Sequence, residues 1–163
     1  MVKTWHRHRQ LEVALPAPPE GVFAFLDDPT ALGAHMGERS SMMMGGRMTY
    51  ELDAAQGRAV GSGIRMEGSA LGLRLAVSEV VTERVPSVRK AWQTTGQQRM
   101  IVIAGYHMGF EIAPTAGGCR VKIFIDYDLP KNGVGRLLGY IVADTYAAWC
   151  ISKMAGSVRK HFT

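Results

Sequence analysis

The chain has 163 residues, of which 47% are hydrophobic and 20% charged, and carries a net charge of +5. That balance excludes a disordered chain, and the length is that of one domain, able to bury roughly two-thirds of its unfolded surface without a disulfide or a metal. Apart from residues 3–9 and 159–161 the basic residues are scattered rather than gathered with aromatics on one element, which argues against a nucleic-acid surface.

Cys119 and Cys150 are far apart and have no CxxC spacing, so both are expected as buried thiols of a reducing compartment. The opening residues contain no apolar run of signal-peptide type. The longest apolar candidate, Leu137 to Ile151, is short for a membrane span and is interrupted by Asp144. A cytoplasmic protein is the expectation.

In chain order, Leu11, Val13 and Leu15 alternate with polar or small neighbours, the period of a half-buried strand. Pro16, Pro18 and Pro19 end it, since proline has no ladder donor. Pro19 then suits the first turn of a short helix reaching Leu26, and Asp28-Pro29 repeats the device with an aspartate cap. Strands are predicted near Arg47–Asp53, Arg58–Gly68, Leu71–Val85, Val88–Thr95, Ile101–Ala113 and Cys119–Leu129, separated by glycine- and proline-bearing turns. Short turns between consecutive strands make an antiparallel meander. After Pro130-Lys131-Asn132-Gly133 a proline-free helix is predicted to about Phe162, its core stripe running through Val134, Leu138, Ile141, Thr145, Ala148, Ile151 and Ala155. It is the one element large enough to cover the apolar face of the sheet.

Three segments carry a resemblance. LPAPPEGVFAFLDDP (Leu15–Pro29), YHMGFEIAPTAGGCRVKIFIDYDLP (Tyr106–Pro130) and GRLLGYIVADTYAAWCISKMAGSVRKHF (Gly135–Phe162) resemble the entry motif, the last two strands and the closing helix of the SRPBCC superfamily. That group includes START lipid-transfer domains, polyketide cyclases and the birch-pollen allergen family. The resemblance implies an α+β helix-grip fold: a curved seven-stranded antiparallel sheet, two short helices after the first strand, and one long C-terminal helix in the concave face. It also implies an apolar cavity between sheet and helix.

Strand alternation nominates the side chains that face such a cavity: Ile64, Met66, Leu73, Leu75, Trp92, Tyr106, Met108, Phe110, Ile123 and Tyr127, joined from the helix by Ile141 and Thr145. Tyr106 and Tyr127 stand out because a buried phenol needs a hydrogen-bond partner, which a ligand could supply. Asp144 is the one acid within the final helix; facing inward it would be a general acid or base, facing outward a solvated carboxylate. Tyr106, Tyr127 and Asp144 are therefore the weak catalytic candidates.

No metal is expected: His6 and His8 share a side of one strand but lack a third ligand, and His107 falls on the outward face. Met42-Met43-Met44, with Met36 and Met48 nearby, reads as an adaptable lid rather than a copper site. There is no phosphate-loop pattern and no GxSxG elbow, and no cofactor is implied. Tyr140, Val142, Tyr146 and Trp149 fall off the predicted core stripe, which would leave the helix apolar nearly all round and open to a second copy or a membrane surface. Two functions compete: a carrier or binder of a lipid-like or polycyclic molecule, and a polyketide cyclase/dehydratase-like enzyme. The enzyme needs two titratable groups converging in the cavity; the carrier needs one or none.

Overall fold

A computed structural model describes residues 3–32, 47–70, 72–131 and 133–163. Its elements are strand β1 (Arg7–Leu15), helices α1 (Pro19–Leu26) and α2 (Pro29–Leu32), strands β2 (Arg47–Leu52), β3 (Gly63–Ala70), β4 (Leu73–Val85), β5 (Arg89–Thr94), β6 (Gly105–Thr115) and β7 (Gly118–Asp128), and helix α3 (Gly133–Phe162). The strands form one antiparallel sheet in the order β1-β7-β6-β5-β4-β3-β2. Six strands follow the chain as a meander, and β1 closes the far side against β7, with Leu11 opposite Ile123. This is the helix-grip arrangement, with α3 laid across β1 and β7 and touching both short helices.

Local chemistry sets the element ends. Pro19 opens α1, and the Asp28 carboxylate accepts from the Thr30 backbone N–H at 3.0 Å and the Thr30 hydroxyl at 2.7 Å to cap α2. Two strands, β3 and β6, begin well after the starts their sequence pattern predicts. Residues 58–62 are turn, because the Asp53 carboxylate gathers the Ala55 and Gly63 N–H groups and the Ser62 hydroxyl, and the chain takes positive φ at Gly57 and Gly61. Residues 101–104 are irregular; Val102 and Ile103 there are buried, and β6 begins only at Gly105.

The core stripe of α3 keeps the predicted Ile151 and Ala155 but departs from the predicted one before them. Ala143, Ala147, Cys150, Ile151, Met154, Ala155 and Val158 are buried, whereas Ile141 is 65% exposed and Thr145 is exposed. The reason is distance: α3 lies so close to its neighbours that a Cβ on Gly139 would stand 2.7 Å from the Val102 carbonyl oxygen. Along residues 139–147 the buried face is made of Gly139, Ala143 and Ala147, so there small size marks the contact better than hydrophobicity does. Val142 and Tyr146, placed off the core by the sequence pattern, turn toward the cavity instead. The exposed apolar residues of the helix are Leu137, Tyr140 and Ile141, in its first turns. No helix among the described residues is long and apolar enough to cross a membrane. Both cysteines are buried and free.

Candidate functional site

A cavity of about 320 Å³ lies between the sheet and α3. Its walls come from α2, from β2 to β7, from residues 100–103 and from Val142, Tyr146, Cys150 and Met154 of α3. Six of the side chains nominated by strand alternation line it: Ile64, Met66, Leu75, Trp92, Tyr106 and Met108.

The other nominated residues lie elsewhere. Phe110 is fully buried, but Phe23 of α1 packs edge-on at 5.7 Å and Trp92 sits at 6.4 Å, so that end of the interior is filled. Ile123 is buried outside the cavity wall, where its strand neighbour Ile125 takes part instead. Leu73 is 55% exposed at the start of β4. Ile141 and Thr145 face solvent, for the packing reason given above.

Tyr127 and Asp144 find each other away from the cavity. The Tyr127 hydroxyl donates to Asp144, whose carboxylate also takes Arg7 at 3.1 Å and Arg9 at 3.5 Å. The Tyr127 hydrogen bond, with Arg7, holds the Asp144 carboxyl below its usual range. Burial and the Asp144 partner push the Tyr127 phenol up to about 12. An ionised, half-exposed aspartate in a cluster of arginines ties helix to sheet; it is not a general acid in a dry pocket. Three histidines pair with carboxylates, His6 with Asp128 at 2.7 Å and His8 and His107 with Asp126 at 2.5 and 3.2 Å. Among the described residues no group of three His, Cys, Asp or Glu is placed to hold a metal. Met36 and the Met42–Met44 cluster lie outside the described residues; Met48 is buried in the cavity wall.

The polar group inside the cavity is one that the sequence reading passed over. Glu79 of β4 is 5% exposed, and the Tyr106 hydroxyl donates a hydrogen bond to its carboxyl. Burial in an apolar wall disfavours the anion and pushes this carboxyl up to about 7, against the opposing pull of Tyr106 and of the Lys90 charge. Burial likewise drives the Tyr106 phenol far up, with Glu79 adding to it. Tyr50 and Tyr146 belong to the same electrostatic neighbourhood, both raised by burial, and Tyr146 is hydrogen-bonded to Cys150. Burial pushes the Cys150 thiol up to about 12, which removes it as a nucleophile at neutral pH.

A second buried group adjoins the cavity. Lys90 of β5 is 1% exposed, forms part of the cavity wall, and donates to the backbone oxygen and the carboxylate of Asp27, each at 2.8 Å. Arg84 takes the same carboxylate through Nε at 3.1 Å and a terminal nitrogen at 2.8 Å. Burial raises the Asp27 carboxyl, but these cations outweigh it and hold it below its usual range. Both Glu79 and Lys90 carry a readable signal. Glu79 follows Leu75 and Val77 at period two, and Lys90 lies two residues before Trp92 on the same face.

A family model described as polyketide cyclase/dehydrase and lipid transport matches residues 7–162. The chain belongs to this family. It thereby falls in the SRPBCC superfamily whose segments it resembles. No curated protein matches the chain. Solved structures with the same fold include a protein of Thermus thermophilus, 19% identical over 96% of this chain and 100% of that one, with a TM-score of 0.65. The Zhui aromatase/cyclase of a Streptomyces species is 11% identical over 96% of both chains, with a TM-score of 0.63. Norcoclaurine synthase of Thalictrum flavum is 18% identical over 94% of this chain and 83% of that one, with a TM-score of 0.60. At these identities the likeness establishes the fold.

Proposed function

We propose that this protein binds one small, mostly apolar molecule in the cavity between sheet and α3 and holds a polar substituent of it against Glu79 and Tyr106. The observation that carries the reading is the pairing of a buried carboxyl with a phenol in a wall otherwise made almost entirely of apolar side chains. Small-molecule sites have this character: apolar area supplies affinity, and a few fixed polar groups supply orientation. The description of the family, which names lipid transport beside cyclase and dehydrase chemistry, supports it.

A second reading uses the same pair for proton transfer, as in a cyclase/dehydratase-type enzyme. Two titratable groups do converge, and a carboxyl poised near neutrality is matched to general acid–base work. In a dehydration, Glu79 as carboxylate would take a proton from the carbon beside a carbonyl, and as acid return one to the departing hydroxyl. A carbon–hydrogen and a carbon–oxygen bond break, a double bond forms, and water leaves. Binding is the step common to both readings.

The test is native mass spectrometry of freshly purified protein, with organic extraction and identification of what co-purifies. A stoichiometric apolar passenger is expected from wild type and none from Val77→Trp, which fills the cavity from its wall. A wild-type protein that carries nothing, and takes up no apolar probe, would sink the binding reading. Any self-association or membrane contact by the C-terminal helix would run through its exposed Leu137, Tyr140 and Ile141.

A further inference from the structure

We propose that the ligand is an amphiphile with two polar ends, an anionic oxygen group that sits by Lys90 and a hydroxyl or keto oxygen that meets the Glu79–Tyr106 pair, its apolar body lying across Trp92. This deepens the binding reading and rests on it.

The first support is charge. Lys90 has three N–H donors, and Asp27 occupies two of them through its backbone oxygen and its carboxylate. That carboxylate also serves Arg84, so one anion faces two cations, a net of one positive charge. The group is withdrawn from water: the side-chain exposures are 1% for Lys90, 7% for Asp27 and 26% for Arg84. The nearby Arg58 also acts on Lys90 and is itself paired with Asp28 at 3.9 Å. Glu79, the acid in the cavity wall, is engaged by Tyr106 and is the group that burial drives toward its neutral form. An uncompensated positive charge bordering an apolar cavity favours an anion there.

The second support is spacing, fixed by strand register. Glu79 pairs with Thr94 across the β4–β5 ladder, and Arg84 pairs with Lys90. Lys90 and Thr94 are four residues apart on β5, which is about 13 Å at the rise of an extended strand. Trp92 stands midway, on the same face and in the cavity wall. The two polar ends are thus separated by an aromatic platform, and a ligand with one polar end would leave the other unused. A straight chain of about ten carbons, or a fused-ring body, is comparable in length to that backbone separation.

Matched probes test the proposal: 1-decanol, decanoic acid and 10-hydroxydecanoic acid, titrated calorimetrically near neutral pH into wild type, Lys90→Met, Lys90→Arg and Glu79→Leu. Wild type should bind the hydroxy acid most tightly, then the acid, then the alcohol. Lys90→Met should weaken both acids by roughly tenfold to a hundredfold, the value of a charge-assisted hydrogen bond, and leave decanol unchanged. Lys90→Arg keeps the charge and should keep the preference for acids, and thermal melts of each variant confirm that it folds. Glu79→Leu should erase the advantage of the hydroxy acid over the simple acid. If wild type binds decanol and decanoic acid equally, or Lys90→Met leaves their ratio unchanged, this proposal is wrong while binding itself stands. If none of the three probes binds, the binding reading fails and takes the proposal with it.

Discussion

Replacing Glu79 by glutamine should make the protein more stable at neutral and alkaline pH, and the gain should vanish in acid. Glu79 titrates near its ordinary 4.5 when unfolded and at about 7 when folded. Because the folded-state value is the higher one, the folded protein holds the proton more tightly. Below 4.5 both states are protonated and the group has no net effect. Between 4.5 and about 7 the unfolded chain alone releases its proton, so stability falls as pH rises. Above 7 the loss is complete, and at about 1.4 kcal/mol per pH unit it amounts to about 3 kcal/mol. For a chain of this size that is a shift of about 6–12 °C in melting temperature. Glutamine keeps the shape and can still accept from Tyr106, but it has no proton to lose. His8 shifts in the same direction: its hydrogen bond to Asp126 raises its pKa, so its contribution is present below 6.5 and lost as pH rises. Glu79→Gln retains His8, so the difference between the two proteins isolates Glu79. The assay is urea denaturation of both at a series of pH values from 4.5 to 8.5. Parallel curves, with no divergence between pH 5 and 8, would show that Glu79 is not a buried acid and would refute the reasoning.

Other changes should read out other parts of the structure. Asp27→Asn leaves Lys90 and Arg84 without their anion and should cost about 3 kcal/mol, since it breaks a buried ion pair from one side; urea unfolding at pH 7 measures it. Because the Asp27 carboxyl is held below its ordinary 3.8, wild type should lose its advantage over Asp27→Asn as pH falls below about 4. Gly109→Ala would set a Cβ 2.4 Å from the Lys90 carbonyl oxygen and 2.8 Å from the Phe124 ring, and should destabilise by about 1–3 kcal/mol or more in the same assay. The observed helix stripe predicts that Ile141→Asn changes stability by no more than about 0.5 kcal/mol. Ala147→Asn, at a fully buried site, should cost about 2 kcal/mol or more; equal effects at 141 and 147 would mean the stripe is misplaced.

The sequence made the sheet legible because alternation and turn residues are local signals. Tyr106, Met108 and Trp92 could be turned inward from their own neighbours, and they line the cavity. The same rule applied to β4 and β5 turns Glu79 and Lys90 inward too. Charged residues are ordinarily assigned to solvent, and only the fold shows that these two are buried, each with a polar partner brought from elsewhere in the chain. The first half of the helix defeats the pattern for a different reason: hydrophobicity does not mark its buried face, which is made of Gly139, Ala143 and Ala147, with Gly139 closely approached by the Val102 carbonyl and by Pro130. Tyr127 needs a partner as a buried phenol, whereas Asp144 reads from the sequence as either an inward acid or a solvated carboxylate; that the two meet outside the cavity is something no local signal encodes.

The energetics of Glu79 bear on why the cavity exists at all. Leucine or methionine at that position would continue the apolar cavity wall without the roughly 3 kcal/mol that the acid forfeits at neutral pH, a substantial part of the 5–15 kcal/mol by which domains are stable. Tyr106 does not require the acid either, since a glutamine would satisfy its hydroxyl. What a carboxyl near neutrality offers, and neither replacement does, is a proton that can be gained or lost at the oxygen facing the ligand; an amide donates and accepts but does not titrate. A purely structural role therefore leaves the acid unexplained, whereas a ligand with a hydroxyl or carbonyl at that point explains both its identity and its burial. The consequence is measurable without knowing the ligand: Glu79→Gln should gain stability and lose ligand selectivity together, while Glu79→Leu should gain stability and lose recognition of the oxygen altogether. A variant that gains stability with its ligand preferences intact would show that the acid is tolerated rather than used.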